Sequence, residues 1–138
     1  MPLEGGTVLS QPPHRVLLIE DEPSITEAIR FILTRDGMHV MTHGTGRDAV
    51  DAVRRKRPDA VILDVMLPER SGYDILSDLR GAPETASVPV LMLTARGHEK
   101  EREIAARLGA DRFMTKPFSN AEMLETVRVL VRSRAQPT

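Results

Sequence analysis

Five short apolar runs, separated by segments of helical spacing, constrain the fold of this chain more than any other feature. The runs lie at residues 16–19, 40–41, 60–63, 90–93 and 113–114. Each is too short for a buried helix, and continuous apolar stretches such as AVIL and VLML suit strands buried on both faces. Between the runs, Ile25, Ala28, Ile29, Ile32 and Leu33 share one helical face, and Ala49, Val50 and Val53 share a second. Tyr73, Leu76 and Leu79 define a third helix, and Ile104, Ala105 and Leu108 a fourth. Met123, Leu124, Val127, Leu130 and Val131 define a fifth. Pro23 stands near the first helix start, where a missing N–H costs nothing, and Gly37 follows its end. Pro58 closes the second helix and Gly109 takes the C-terminal cap position of the fourth. Ser119-Asn-Ala-Glu122 opens the fifth with a capping-box pattern. Strand and helix thus alternate five times. Strands joined by helical crossovers run parallel, in an α/β sheet covered on both faces.

In an open parallel sheet, ligands bind just beyond the carboxyl ends of the strands. The residues that end the apolar runs are therefore the ones to read for chemistry. The first run ends in Glu20-Asp21, and the third, within VILDVMLPERSG, in Asp64. The fourth ends in Thr94-Ala95, and the fifth is followed by Lys116-Pro117. Parallel strands bring these groups to one rim. Three carboxylates gathered there resist ionising unless positive charge is present. Lys116 is one source, a compact charge on a flexible stem. A divalent cation is the other, and an all-oxygen ligand set with no Cys or His close in sequence suits hard Mg²⁺ or Mn²⁺. Metal, lysine, threonine hydroxyl and a carboxylate nucleophile form a set suited to phosphoryl transfer onto Asp64. Taken singly, Asp64 could equally cap the following turn, and Glu20 or Asp21 could cap the helix near Pro23.

Composition narrows the classes. The 138 residues suffice for one core, and 19 basic against 20 acidic residues give a net charge of −1. That balance argues against a nucleic-acid-binding protein, which carries an excess of basic residues. There is no cysteine, hence no disulfide framework and no thiolate metal site. No apolar run approaches the roughly 20 residues that cross a bilayer, and the N-terminal stretch lacks the pattern of a secretory signal. A cytoplasmic protein is expected. Three prolines and two glycines within residues 1–13 predict a flexible N-terminal tail. The domain is expected over 14–134, with a C-terminal tail over 135–138.

LLIEDE at 17–22, VILDVMLPERSGYDIL at 61–76, PVLMLTA at 89–95 and GADRFMTKPF at 109–118 together resemble the receiver domains of two-component response regulators. The resemblance covers about residues 14–134. It implies a flavodoxin-like (βα)5 doubly wound sheet of strand order 2-1-3-4-5, an order for which a chemotaxis member of the family is a standing example. It implies that Asp64 is the phospho-acceptor, and that Glu20, Asp21, Asp64 and the Met66 backbone carbonyl hold Mg²⁺. Thr94 would hydrogen-bond a phosphoryl oxygen, Ala95 would leave access, and Lys116 would pair with the phosphoryl group. Phe113 would be the switch aromatic moving with Thr94, and the Lys116–Pro117 bond would be cis. Met66 and Arg96 would tune dephosphorylation. The donor would be a histidine kinase or a histidine phosphotransfer protein. The response would pass through the surface of the fourth helix, fifth strand and fifth helix to a protein effector, without direct contact to nucleic acid or membrane. The chain would be a phospho-acceptor rather than an enzyme of ordinary kind.

A single-domain regulator acting by protein contacts is the expected organisation, with the receiver half of a larger regulator as the alternative. Many transcription-factor receivers dimerise through that same surface, using an acidic residue before the switch aromatic and a basic one in the last helix. Here those places hold Arg112 and Thr126, so the pair is absent, while Arg102 and Glu122 hold the places of another contact. Two enzyme readings compete. Gly44-Thr-Gly46-Arg-Asp-Ala49 matches a dinucleotide fingerprint formally, but follows the second strand and leaves Glu20, Asp21, Thr94 and Lys116 unused. Gly46 reads better as a turn residue with φ freedom. An aspartyl-phosphate phosphatase needs a second Asp two residues after the nucleophile, where Met66 stands. His39 and His43, four apart on a strand, lie about 13 Å apart and make no metal pair.

Overall fold

The computed structural model describes residues 12–135. Residues 1–11 and 136–138, which hold most of the two expected tails, lie outside the described residues. Ten elements alternate: β1 (Arg15–Ile19), α1 (Pro23–Arg35), β2 (His39–His43), α2 (Ala49–Lys56), β3 (Ala60–Asp64), α3 (Gly72–Gly81), β4 (Val90–Thr94), α4 (Glu99–Leu108), β5 (Arg112–Thr115) and α5 (Asn120–Ala135). The five strands form one parallel sheet in the order β2-β1-β3-β4-β5, the doubly wound flavodoxin-like arrangement. α5 reaches one residue into the expected C-terminal tail.

The pleat divides each buried strand between two cores, because successive side chains point to opposite faces. On one face Val16, Leu18, Ile62, Leu91, Leu93 and Met114 pack against α1 and α5 through Ile29, Ile32, Leu33, Met123 and Val127. On the other, Leu17, Ile19, Val61, Leu63, Val90 and Met92 pack against α2, α3 and α4 through Ala52, Val53, Ile75, Leu76 and Ala105. All five residues of β3 and of β4 are buried. A carboxylate at the end of β3 therefore leaves water on every side except the rim.

The helix ends follow local chemistry, with two departures from expectation. Gly37 and Gly109 adopt φ of 91° and 105°. The N–H groups of Gly37 and Met38 return to the carbonyls of Thr34 and Leu33, the double closure that such a residue permits. Ser119 accepts from the Glu122 N–H at 3.0 Å, as a capping residue does. α2 ends before Pro58, as expected, with Arg57 itself left-handed at φ 47°. Neither Glu20 nor Asp21 caps α1: its N-cap residue is Glu22, without a side-chain cap bond. Gly46 is not a positive-φ residue. A Cβ there would lie 2.5 Å from Arg70 Cβ, so the glycine serves close approach of two loops rather than backbone freedom.

Gly72 works by the same steric logic and matters more. A Cβ on it would lie 2.3 Å from the carbonyl oxygen of Asp64. Its N–H donates to Val65 O at 2.9 Å, and Ser71 caps the helix by accepting from the Tyr73 N–H at 3.0 Å. The glycine of the Asp–x3–Pro–x3–Gly spacing thus lets the start of α3 lie directly on the backbone that carries Asp64.

Candidate functional site

β1, β3, β4 and β5 end at one rim, and their register sets which residues meet. Ile19 is level with Leu63, Asp64 with Leu93, and Thr94 with Thr115. Glu20 therefore follows β1 beside the end of β3, and Lys116 follows β5 beside Thr94. The Lys116 N–H donates to the Thr94 carbonyl at 2.7 Å, anchoring the lysine backbone at the rim, and the Lys116–Pro117 peptide is cis.

Glu20, Asp21 and Asp64 each offer a carboxylate oxygen, and these oxygens all lie within 4.8 Å of one another. Glu20 and Asp64 are buried, only 3% and 2% exposed, whereas Asp21 is exposed. The Lys116 ammonium lies among carboxylates: 3.0 Å from Glu22 Oε1, 3.1 Å from Glu20 Oε1 and 3.6 Å from Asp64 Oδ1. Glu22 was not singled out from the sequence, yet it makes the shortest of these contacts and accepts a hydrogen bond from the ammonium. Its only advance signal is its place as the third acid of LLIEDE.

Burial first, and then the Glu20 charge, push the Asp64 carboxyl up to about 6, against the opposing pull of Lys116 and the Met66 N–H. For Lys116, burial pulls the pKa down, but the hydrogen bond to Glu22 and the charges of Asp64 and Glu20 outweigh it, and the net shift is upward. One ammonium does not neutralise the pocket. Glu20 Oε2 accepts from the Glu22 N–H at 3.1 Å, but Glu20 Oε1 is buried without a hydrogen-bond partner despite its ion-pair distance to Lys116. An orphaned carboxylate oxygen facing two further carboxylates, in an all-oxygen donor set, fits a hard divalent cation.

The remaining predicted residues lie on or just after the strands that end at this rim. Thr94 is buried, and its Oγ1 accepts from the Arg96 N–H at 3.1 Å, so the hydroxyl proton stays available for donation. Met66 donates its N–H to Asp64 Oδ1 at 3.3 Å while its side chain is 63% exposed. Ala95 and Arg96 are exposed. Phe113 is half-buried on β5, and the Arg102 guanidinium of α4 lies 5.0 Å over its ring centre. Arg102, considered above for a contact between molecules, thus has an intramolecular partner that sequence spacing did not suggest. His39 and His43 take no part in the pocket. His43 Nε2 instead lies 2.6 Å from the Arg47 carbonyl oxygen.

The response regulator receiver domain family matches residues 16–128, spanning every element from β1 into α5. The chain belongs to that family. Among curated relatives, it is 42% identical over 120 residues to the "Probable transcriptional regulatory protein TcrX" of Mycobacterium tuberculosis. That alignment covers 87% of this chain and 50% of the relative. The chain spans about half the length of the curated relatives it matches. Among solved structures, the signal receiver domain of a signal transduction histidine kinase from Syntrophus aciditrophicus superposes with a TM-score of 0.82 at 30% identity. It covers 91% of this chain and 95% of that one. The receiver domain of a sensor histidine kinase from Pseudomonas aeruginosa, solved with a magnesium ion coordinated in its active site cleft, gives a TM-score of 0.77 at 31% identity. It covers 90% of this chain and 99% of that one. As a receiver domain, this protein is a module of two-component signalling. Among the described residues no helix is long and apolar enough to cross a membrane.

Proposed function

We propose that this receiver accepts a phosphoryl group on Asp64 from a phosphohistidine of a histidine kinase or phosphotransfer protein, with Mg²⁺ bound by Glu20, Asp21, Asp64 and the Met66 carbonyl. The observation that carries the reading is the meeting of three carboxylates within 4.8 Å with a lysine ammonium 3.6 Å from the buried acceptor. An Asp64 carboxylate oxygen attacks phosphorus, the phosphorus–nitrogen bond breaks, and the imidazole of the donor leaves with the bonding pair. Mg²⁺ held by these residues would supply positive charge against the charge of the phosphoryl group. Lys116 pairs with one of those oxygens, and the Thr94 hydroxyl donates to another once it turns from the Arg96 N–H side of the rim. Burial of Asp64 keeps bulk water from the acceptor, while exposed Met66, Ala95 and Arg96 flank the path by which water later removes the group. Phe113 and Arg102 carry the change of state to the α4–β5–α5 surface, which passes it to a protein effector. The transcriptional roles named for the longer relatives stay with those proteins.

The enzyme alternatives gain no support from the geometry. The Gly46 N–H of the formal dinucleotide fingerprint is used by Pro68 O at 3.0 Å, and Arg70 crowds the glycine. Met66 offers no acid for a phosphatase.

Mass spectrometry after treatment with acetyl phosphate and Mg²⁺ tests the reading. The expected result is one added phosphoryl group on the peptide holding Asp64, absent from Asp64→Asn and from protein treated without metal. Equal labelling of Asp64→Asn places the acceptor elsewhere and ends the proposal.

A further inference from the structure

The geometry points to Glu22 as a positioning residue that holds the Lys116 ammonium back from Asp64, and so sets how readily the lysine engages a phosphoryl group there. This inference rests on the function proposed above and adds a competitor to it. Three carboxylates share one ammonium, and the ranking by distance runs against the chemistry: the acceptor, Asp64, is the farthest at 3.6 Å, and Glu22 the nearest at 3.0 Å. The lysine backbone is fixed by its bond to Thr94 O, so side-chain torsions alone choose among the acids. The main chain of Glu22 is fixed too, because its N–H is held by Glu20 Oε2. Its carboxylate makes no cap bond to α1 and is free to reach the lysine.

Exposure decides how strong the hold is. The Glu22 side chain is 55% exposed, whereas those of Glu20 and Asp64 are almost wholly buried. An ion pair open to water is weak and screened by salt. Glu22 therefore acts as a reversible hold that a phosphoryl group, with more charge and less water around it, overcomes. Removing it shifts the lysine toward the phosphoryl position by about two- to fivefold in equilibrium, the range of an exposed pair.

Beryllofluoride, a stable mimic of the phosphoryl group, provides the probe. Its affinity is measured at saturating Mg²⁺ and low salt for the natural chain, Glu22→Gln, Glu22→Ala and Glu22→Asp, with melting curves verifying that each folds. We expect Glu22→Gln and Glu22→Ala to bind about two- to fivefold tighter, and Glu22→Asp to stay near the natural chain. The gain should shrink at about 1 M salt and vanish when Glu22→Gln is made in a Lys116→Met background, where there is no ammonium to release. In metal-free protein, the Lys116 Cε resonance should move in Glu22→Gln, a change that a purely structural role would not produce. Equal or weaker binding by both charge-removing variants, or an undiminished gain with Met at position 116, overturns the role of Glu22. If the natural chain itself neither binds the mimic nor is labelled at Asp64, the function proposed above fails and takes this inference with it. If the natural chain binds and is labelled while the Glu22 variants match it, only the Glu22 inference falls.

Discussion

The two ends of the sheet both gather charge, and they treat it in opposite ways. At the end away from the site, Arg80 of α3 reaches across to the start of β4 and β5. Its guanidinium donates to the carbonyls of Gly109, Ala86 and Val88 at 2.8–3.1 Å and to Asp111 Oδ2 at 3.0 Å. That same Asp111 oxygen accepts the Val90 N–H at 2.8 Å. Cation, anion and orphan backbone groups are all satisfied together. At the site end, one ammonium faces three carboxylates, and Glu20 Oε1 has no hydrogen bond. The first arrangement joins helix to sheet. The second holds unspent negative charge around Asp64, where the proposed function puts a cation and a phosphoryl group. The contrast shows that a cluster of charge by itself says little; the degree of satisfaction distinguishes a structural clamp from a reactive pocket.

The sharpest way to break this comparison is to damage the satisfied end. Arg80→Ala leaves three carbonyls without this donor and removes one of the two donors to Asp111 Oδ2. It should cost about 2–3 kcal/mol of unfolding free energy, measured by denaturant titration. A loss below about 0.5 kcal/mol would mean that the clamp is ornamental.

The same assay at the other end should give the opposite sign. Asp64→Asn relieves carboxylate repulsion, so metal-free protein at neutral pH should gain about 1–3 kcal/mol while losing phosphoryl acceptance. Destabilisation by this change would show that the pocket is already balanced by Lys116.

Acidity sharpens the point. Asp64 has a folded-state pKa raised from 3.8 to about 6, so between those values the folded chain keeps a proton that the unfolded chain has lost. Metal-free stability should therefore fall as pH rises from about 4 to 6, and Asp64→Asn should flatten that slope. Mg²⁺ competes with the same proton, so its affinity should drop about tenfold for each pH unit below 6, read by thermal shift or calorimetry. An affinity independent of pH across that range removes Asp64 from the metal site.

The smallest effect belongs to a pair at neither buried site. Arg128 of α5 makes a two-pronged contact with Asp36 at the end of α1. Arg128→Ala should cost no more than about 1 kcal/mol and lose even that in high salt.

Much of this architecture was legible before any coordinates. The continuous apolar strands stand out because they are buried on both faces, so no polar residue interrupts them until the rim. Glu20, Asp64 and Thr94 stand out for the complementary reason: each is the first polar residue after such a run. Gly37 and Gly109 are marked by the backbone geometry that their positions demand. The Arg80 clamp is invisible because two of its partners lie 29 and 31 residues away and the nearer two are loop carbonyls, so no periodicity links them. Gly46 was assigned the wrong reason, since a glycine before a helix looks the same whether it serves φ freedom or the approach of Arg70. Arg57 ends α2 in a left-handed conformation that a proline one residue later does not announce.

What the chain determined locally is the alternation of parallel strands and helices, and with it the gathering of acids at the carboxyl ends of the strands, because periodicity and burial are properties of neighbouring residues. Which acid the lysine holds, and which carboxylate oxygen goes without a hydrogen bond, was decided only when the loops packed. Those outcomes turn on differences of a few tenths of an ångström between groups as much as 94 residues apart, and such distances belong to the packed molecule alone.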